Sequence, residues 1–295
     1  MKIKYIFAAL FLFGIGGWLF WLQWENKSAN ISETANEKAV PVRADASDPP
    51  RMTLDPFISL NSIAASIDDP REKLAFSNTM EWDVVIRASL AQKPFFNVSL
   101  DSFDIPSPPA NSSARTVQEL QLLHEYQDTF RTKEILKAIG AEASTLENIQ
   151  FGDYTYGEYI NAKKFPKTSA LLRNGLKDIE ITVLKLKEHF DRVRPTELDP
   201  TLAAVIAVPG HPAYPGGHST QVYFIAYTLS ELIPEKRAVM ETSALRVALH
   251  REIAGLHYSS DTAAGALLAR QFVDALKKNQ KFKEMFEEAK AEWSK

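Results

Sequence analysis

The stretch Pro209–Leu232 reads PGHPAYPGGHSTQVYFIAYTLSEL and leads from a loop rich in proline and glycine into a predicted helix. Pro215 fixes the chain before the turn, whereas Gly216 and Gly217 permit backbone angles that other residues resist. His218 stands where the helix opens, and the free amides of a helix start bind anions. The stretch therefore predicts an anion site with a histidine beside it, unless the glycines form only a turn and His218 lies on the surface.

Helical periodicity extends from this stretch in both directions. The segments with apolar residues at helical spacing are Thr116–Gly140, Thr168–Phe190, Ser219–Leu232, Glu235–Gly255, Asp261–Lys277 and Gln280–Trp293. Period-two alternation is limited to short runs such as Trp82–Ile86, and long loops are expected at Asp101–Ser113 and Asp199–Gly217. The pattern predicts an all-α domain over residues 55–295.

The N-terminal region has a different character. Tyr5–Leu22 is free of charged residues and follows Lys2 and Lys4. As a helix it would span about 27 Å, close to the hydrocarbon thickness of a bilayer. We predict a signal anchor over residues 1–24, or alternatively a cleaved signal peptide, and a flexible polar linker over residues 25–54. The leading lysines predict a single-pass protein of the cytoplasmic membrane with its domain on the outer side, or secretion to the periplasm if the segment is cleaved.

The composition excludes several classes of protein. With 34 Lys and Arg against 37 Asp and Glu, the net charge of −3 argues against a nucleic-acid partner. The absence of cysteine excludes disulfide scaffolds, thiolate zinc sites, iron–sulfur clusters and thiol nucleophiles. The apolar and charged fractions, 45% and 24%, are those of an ordinary globular protein and exclude a polytopic membrane protein.

Two cations lie on one face of the predicted helix that precedes the loop Asp199–Gly217. Lys187 and Arg194 are seven residues apart, or about two turns, and Pro195 ends the helix. A lysine and an arginine so placed can grip one tetrahedral oxyanion. Taken alone, the pair is also explained as a solvated basic helix end that complements the macrodipole.

A third motif runs from Arg251 to Asp261. Gly255 can end one helix and the serines after Tyr258 can cap the next, so His257 lies at the junction. Asp261 can accept a hydrogen bond from one ring nitrogen of His257 and leave the other nucleophilic. The same pair could bind a divalent metal, but the neighbouring cations repel metals and hold anions. The three motifs together predict a site for phosphate or an isostere such as vanadate, with a metal-dependent hydrolase as the remaining alternative.

These motifs resemble a known signature. Lys187-x6-Arg194-Pro195, Pro215-Gly216-Gly217-His218 and Arg251-x5-His257-x3-Asp261 are similar in order and spacing to the type 2 phosphatidic acid phosphatase superfamily. That superfamily includes class A bacterial acid phosphatases and vanadium-dependent haloperoxidases. The resemblance implies a helical bundle of the acid phosphatase and vanadium haloperoxidase type.

The resemblance also implies a role for each matched position. His257 would be the nucleophile that forms a phosphohistidine, Asp261 the carboxylate that orients it, and His218 the general acid. The phosphate clamp would consist of Lys187, Arg194 and Arg251 with the Gly217 amide. The implied activity is a metal-independent phosphatase without a cofactor, acting on a phosphorylated small molecule or a lipid phosphate. The N-terminal helix would hold it at the membrane.

Three positions bear on this interpretation. The family usually has serine at Gly216, and the missing hydroxyl leaves open a catalytically weak phosphate-binding homologue. His211 lies in a His-Pro-Ala-Tyr stretch similar to that of vanadium bromoperoxidases, which leaves open a haloperoxidase with His257 as the vanadate ligand. His250 stands before Arg251 where the family often has serine. Its side chain could face the site or solvent, and with His211 it is a candidate for a supporting position around the site. The shorter, anchored chain favours the phosphatase.

Overall fold

The structure, a computed structural model, describes residues 68–152 and 154–294. The predicted membrane segment at residues 1–24 and the linker at residues 25–54 lie outside the described residues. Within the described ranges, no helix combines the length and the apolar character that a bilayer crossing requires.

The described part of the chain contains seven helices of twelve or more residues. They are α1 (Ala114–Thr129), α2 (Lys133–Ser144), α3 (Pro166–Phe190), α4 (Gly217–Leu232), α5 (Arg237–Ile253), α6 (Ser259–Leu276) and α7 (Gln280–Trp293). The remaining α-helices there are single turns at Phe76–Thr79, Val84–Ala88, Tyr156–Tyr159 and Pro195–Leu198. The described strands are Gln150–Phe151 and Tyr154–Thr155, which pair antiparallel. The predicted all-α class is confirmed.

One predicted helix is divided in the structure. The segment Thr116–Gly140 forms α1 and α2, which are separated at Phe130–Thr132. Thr132 has an extended backbone, and its hydroxyl accepts from the Ile135 amide at 3.3 Å, so it caps a new helix. The other five predicted helices correspond to α3–α7 apart from their end residues.

Helix α4 is the central element and packs against α3, α5, α6 and α7. It lies so close to α6 that a Cβ atom at Gly265 would come within 2.7 Å of the Gly216 carbonyl oxygen. The Gly216 amide also donates to the carbonyl of Asp261 at 2.9 Å. This close approach brings the first turns of α4 and α6 together.

Two apolar clusters hold the helix ends in place. The larger surrounds α4 and includes the fully buried Phe224 and Phe272. The smaller joins α1, α2 and the end of α5 through Leu123, Ile139 and Ile253. Burial of such side chains stabilises the fold by about 1.5–3 kcal/mol each. The polar groups described next lie where α3 and α5 end and where α4 and α6 begin.

Candidate active site

The centre of the site is a histidine between α5 and α6. Gly255 ends α5 with a φ of +77°, and a Cβ atom there would lie 2.9 Å from the carbonyl oxygen of Ala203. Asp261, in the first turn of α6, accepts from the backbone amide of Tyr258 at 3.1 Å. The same oxygen lies 3.0 Å from Nδ1 of His257. Because a carboxylate only accepts, Nδ1 carries the proton and Nε2 presents a lone pair.

Arg194 lies directly against that lone pair. Its Nη1 donates to Nε2 of His257 at 3.1 Å and to the carbonyl of Leu256 at 2.9 Å. Its Nε and Nη2 donate to the carbonyl of His211 at 3.1 and 2.9 Å, and Nη2 is 3.0 Å from Nδ1 of the same residue. Four of the five N–H groups of Arg194 therefore have acceptors, and the fifth faces Nδ1 of His211, which also lies 3.1 Å from the Pro212 carbonyl. His211, predicted to lie near the site, is in direct contact with its cation.

Lys187 is buried at the end of α3. Its ammonium donates to the carbonyls of Pro212 at 2.7 Å and Ala213 at 2.8 Å, which leaves the third N–H for another acceptor. A Cβ atom at Gly217, the first residue of α4, would lie 3.7 Å from Cε of Lys187. The lysine is thus beside the free amides of the α4 start. Burial, and then the charge of Arg194, hold the pKa of Lys187 well below its ordinary value.

Arg251 supplies the third cation. Its Nη2 donates to the carbonyl of Ile139 at 3.1 Å and lies 3.5 Å from a carboxylate oxygen of Glu142. Its Nε and Nη1 are buried without a hydrogen-bond partner in the described part of the chain. Buried guanidinium N–H groups of this kind require an acceptor, and an anionic oxygen is the acceptor that binds them most strongly.

His218 lies in the first turn of α4 and is half-buried. Burial and the charge of Arg251 lower its pKa to about 3, and burial and the charge of Arg194 lower that of His257 to about 3. Burial and the charge of Lys187 hold the pKa of His211 well below its ordinary value. Three neutral imidazoles and three buried cations thus create a strongly positive pocket, which favours a bound anion.

His250 contacts Glu142 on α2. Its Nδ1 is 2.8 Å from the glutamate oxygen that also lies near Arg251. The predicted place of His250 near the site is therefore an indirect one, through the carboxylate that it shares with Arg251.

Two residues at the site were missed by the sequence reasoning. Nη1 of Arg192 lies 2.6 Å from Oδ1 of Asp261, and its Nη2 lies 3.3 Å from Glu119 on α1. The sequence does contain a signal for Glu119, since it occupies the apolar face of α1 next to Leu120. A charged residue on such a face requires a buried partner.

Two observations bear on the alternative of a metal site. In the residues that the structure describes, no group of three or more His, Asp and Glu side chains could hold a metal ion. Nε2 of His257 is engaged by a guanidinium, which would repel a metal cation.

Comparisons with known proteins agree with this geometry. Residues 169–281 match the family model of the PAP2 superfamily. A non-specific acid phosphatase of Providencia stuartii is 25% identical over 206 residues, which cover 67% of this chain and 82% of that protein. An acid phosphatase of Zymomonas mobilis subsp. mobilis is 26% identical over 143 residues, or 47% of this chain and 54% of that protein.

A solved structure shows the same fold. A bacterial vanadium-dependent iodoperoxidase superposes with a TM-score of 0.53 at 16% identity, covering 75% of this chain and 63% of that chain. The family that the three motifs resemble is thus the family that the comparisons return, and the helical architecture is that of a solved member of the haloperoxidase branch.

Proposed function

We propose that this chain, a member of the PAP2 superfamily through residues 169–281, is a phosphoric monoester hydrolase that works through a phosphohistidine. Similarity to two bacterial acid phosphatases supports the reaction class. The observation that carries the proposal is the pair of unpartnered guanidinium N–H groups of Arg251. Arg251 is buried, as are Lys187, Arg194 and His257, and all four lie close enough to His218 to influence its charge. These buried cations require an anion, and the nucleophile His257 lies beside the position that this anion would occupy.

Substrate binding rearranges one hydrogen bond of the resting site. A phosphate oxygen takes the place of Nε2 of His257 on Nη1 of Arg194 and so frees the lone pair. Other oxygens accept from an unpartnered N–H group of Arg251 and from the third N–H of Lys187. The Gly217 amide, at the positive end of α4, contributes a further donor.

The first chemical step forms one bond as another breaks. Nε2 of His257 attacks phosphorus, the N–P bond forms, and the bond to the ester oxygen breaks. His218 gives its proton to the leaving oxygen. In the resting pocket His218 is neutral because of its surroundings, and a bound phosphate dianion offsets the cations and raises its pKa.

The second step returns the enzyme to its resting state. Water attacks phosphorus, gives a proton to His218 and displaces Nε2. The departing phosphate then takes that proton from His218, which is neutral again. Throughout, Asp261 holds the proton of Nδ1 and stabilises the charge that develops on the ring. The clamp stabilises charge on the transferred phosphoryl group without a metal.

The substrate would be a phosphorylated small molecule or a lipid phosphate on the outer side of the cytoplasmic membrane. The membrane segment predicted at residues 1–24 supports this location, with secretion to the periplasm if it is cleaved. Its anchoring helix would place the site within reach of lipid headgroups.

The test uses the purified full chain in detergent with p-nitrophenyl phosphate. The wild type should hydrolyse the substrate with inhibition by vanadate, and His257→Ala should abolish turnover. The matched control is His124→Ala, because His124 is also paired with an aspartate, at 2.9 Å from Asp199, but belongs to α1 outside the motifs. Retention of activity in His257→Ala would exclude the assigned nucleophile.

Substrates with different leaving groups test the assignment of His218 as the general acid. His218→Ala should impair hydrolysis of an alkyl phosphate far more than that of p-nitrophenyl phosphate, because a good leaving group needs little protonation. Equal losses on both substrates would contradict the assignment. The wild-type protein is then loaded with vanadate and assayed for oxidation of bromide by peroxide. Halide oxidation that depends on vanadate would identify a haloperoxidase instead.

A further inference from the structure

We propose that Arg192 is a positioning residue that holds one oxygen of Asp261, so that the other serves His257, and that sets the charge felt by the nucleophile. Its importance for catalysis rests on the proposed function. The contact geometry and its effect on the imidazole do not, and they can be measured separately.

The contact with Asp261 divides the two carboxylate oxygens between two tasks. Oδ1 lies 2.6 Å from Nη1 of Arg192, and both side chains are 2% exposed or less. Oδ2 is left for the ring of His257 and the amide of Tyr258. Without the arginine, rotation about the Cβ–Cγ bond of Asp261 would exchange two equivalent orientations of the carboxylate. The oxygen that faces the ring of His257 would then no longer be fixed.

Arg192 is itself held from three sides. Its Nη1 also lies 2.7 Å from the hydroxyl of Ser260, and its guanidinium carbon lies 3.9 Å from the centre of the Tyr258 ring. Its Nη2 lies 3.3 Å from Glu119, which in turn accepts from the amide of Ser260 at 2.7 Å. Contacts with carboxylates, a hydroxyl and an aromatic face together favour this one position of the cation.

The electrostatic consequence concerns the basicity of the imidazole. Burial alone would raise the pKa of the Asp261 carboxyl, but Arg192 pulls it well below its usual range. A carboxylate that shares its charge with a guanidinium stabilises an imidazolium less than a free one does. His257 therefore stays neutral and nucleophilic, and a phosphoryl group on Nε2 is more easily displaced.

Other charges around His257 act in the same direction or through the same carboxylate. The titratable and charged groups that surround it are Lys187, Arg194, His211, His218, Arg251 and Asp261, with Glu119, Glu252 and Tyr258 beyond them. Lys187, Arg194 and Arg251 are the cations that the proposed function assigns to the phosphate. Arg192 differs from them because it contacts the carboxylate behind the ring.

The test measures the titration of His257 by NMR in full-length protein with nitrogen-labelled histidine. Arg192→Gln should raise the titration midpoint of His257 by about one pH unit or more, a tenfold change in proton affinity. The acidic limb of kcat/KM should move upward by a similar amount. Arg192→Lys retains the charge and should stay close to the wild type in both measurements.

The matched control is Arg115→Gln. Arg115 is also buried and also pairs with Glu119, at 3.1 Å, but it does not touch Asp261. A purely structural role for Arg192 would lower stability in both glutamine variants and leave the midpoint of His257 unchanged in both. Ser260→Ala, a milder change at the same nitrogen, should raise the midpoint by less than Arg192→Gln and covers the case in which that variant fails to fold.

The outcomes separate this proposal from the proposed function. A folded Arg192→Gln or Ser260→Ala protein with the wild-type midpoint overturns the positioning role, as does a Lys variant shifted as far as the Gln variant. If the wild type hydrolyses no phosphomonoester but the midpoint rises in Arg192→Gln, the proposed function fails and the positioning role remains.

Discussion

Gly216 is the position at which this chain departs from the signature that its motifs resemble, and the structure predicts two opposite effects of placing a side chain there. A Cβ atom would lie 3.0 Å from the carbonyl oxygen of Asp261 and 3.1 Å from Oγ of Ser219. Gly216 has φ −66°, so its backbone suits any residue, and only the space is limiting. The Ser219 side chain can rotate away from the new Cβ atom. The Asp261 carbonyl is part of the backbone of the turn and cannot rotate in this way.

The cost follows from these distances. The Asp261 carbonyl must retreat by a few tenths of an ångström, which belongs at the low end of the 1–3 kcal/mol range for overpacking. For a chain of this size, we expect Gly216→Ala to lower the Tm by about 2–4 °C. Gly217→Ala is the stability control, because its Cβ atom meets only Cε of Lys187 at 3.7 Å. Equal Tm values for the two alanine variants, measured by calorimetry, would refute the steric reasoning.

Measurements of activity then separate the effect of the hydroxyl from that of the added Cβ atom. Gly216→Ser carries the same Cβ atom as Gly216→Ala and adds a donor where the family places one. We expect the serine variant to exceed the alanine variant in kcat on p-nitrophenyl phosphate, by up to about 10²–10³-fold if the hydroxyl donates in the transition state. If the serine variant also exceeds the wild type, the missing donor limits this enzyme. Identical kcat values for the serine and alanine variants would mean that the hydroxyl does not reach the phosphate.

Three further predictions concern stability. Because the pKa of His257 is about 3 in the folded state and about 6.5 when unfolded, the unfolded state binds more protons below pH 6.5. Urea titrations should show the free energy of unfolding falling by about 2 kcal/mol from this residue alone between pH 7 and pH 5. Gly265→Ala should cost about 3 kcal/mol in the same assay, since its Cβ atom would meet backbone atoms at 2.7 and 3.0 Å, whereas an unchanged value would contradict the close approach of α4 and α6. Phosphate at a hundredfold excess over its Kd should stabilise the wild type by about 2.7 kcal/mol, and Arg251→Gln should lose most of that gain in a thermal-shift measurement.

The order of elements was accessible from the sequence because it depends on local features. Apolar residues at helical spacing predicted α3–α7, and glycine and proline marked their ends, since these signals act over a few residues. The division of Thr116–Gly140 was missed because its periodicity continues across the cap residue Thr132. A cap is a single hydrogen bond and leaves little trace in a hydrophobic pattern.

The residues of the three motifs were equally accessible, because their spacing and chemistry are encoded along the chain. The His257–Asp261 hydrogen bond is an i, i+4 contact and was predicted as such. What the sequence could not provide was the set of partners from distant segments. Glu119 meets Ser260 across 141 residues, and Glu142 meets His250 across 108.

The sequence by itself determined the helices and the groups that an oxyanion site requires, since both depend on residue type and spacing. Only the tertiary structure decided which nitrogen of His257 faces the pocket, and that Arg194 covers it in the resting state. It also decided that Arg192 stands behind Asp261. These features follow from the close packing of α4 on α6 and of α1 beside them, and they involve buried charges. Such charges are stable only when partners arrive from elsewhere in the fold, and no local pattern specifies which partners those are.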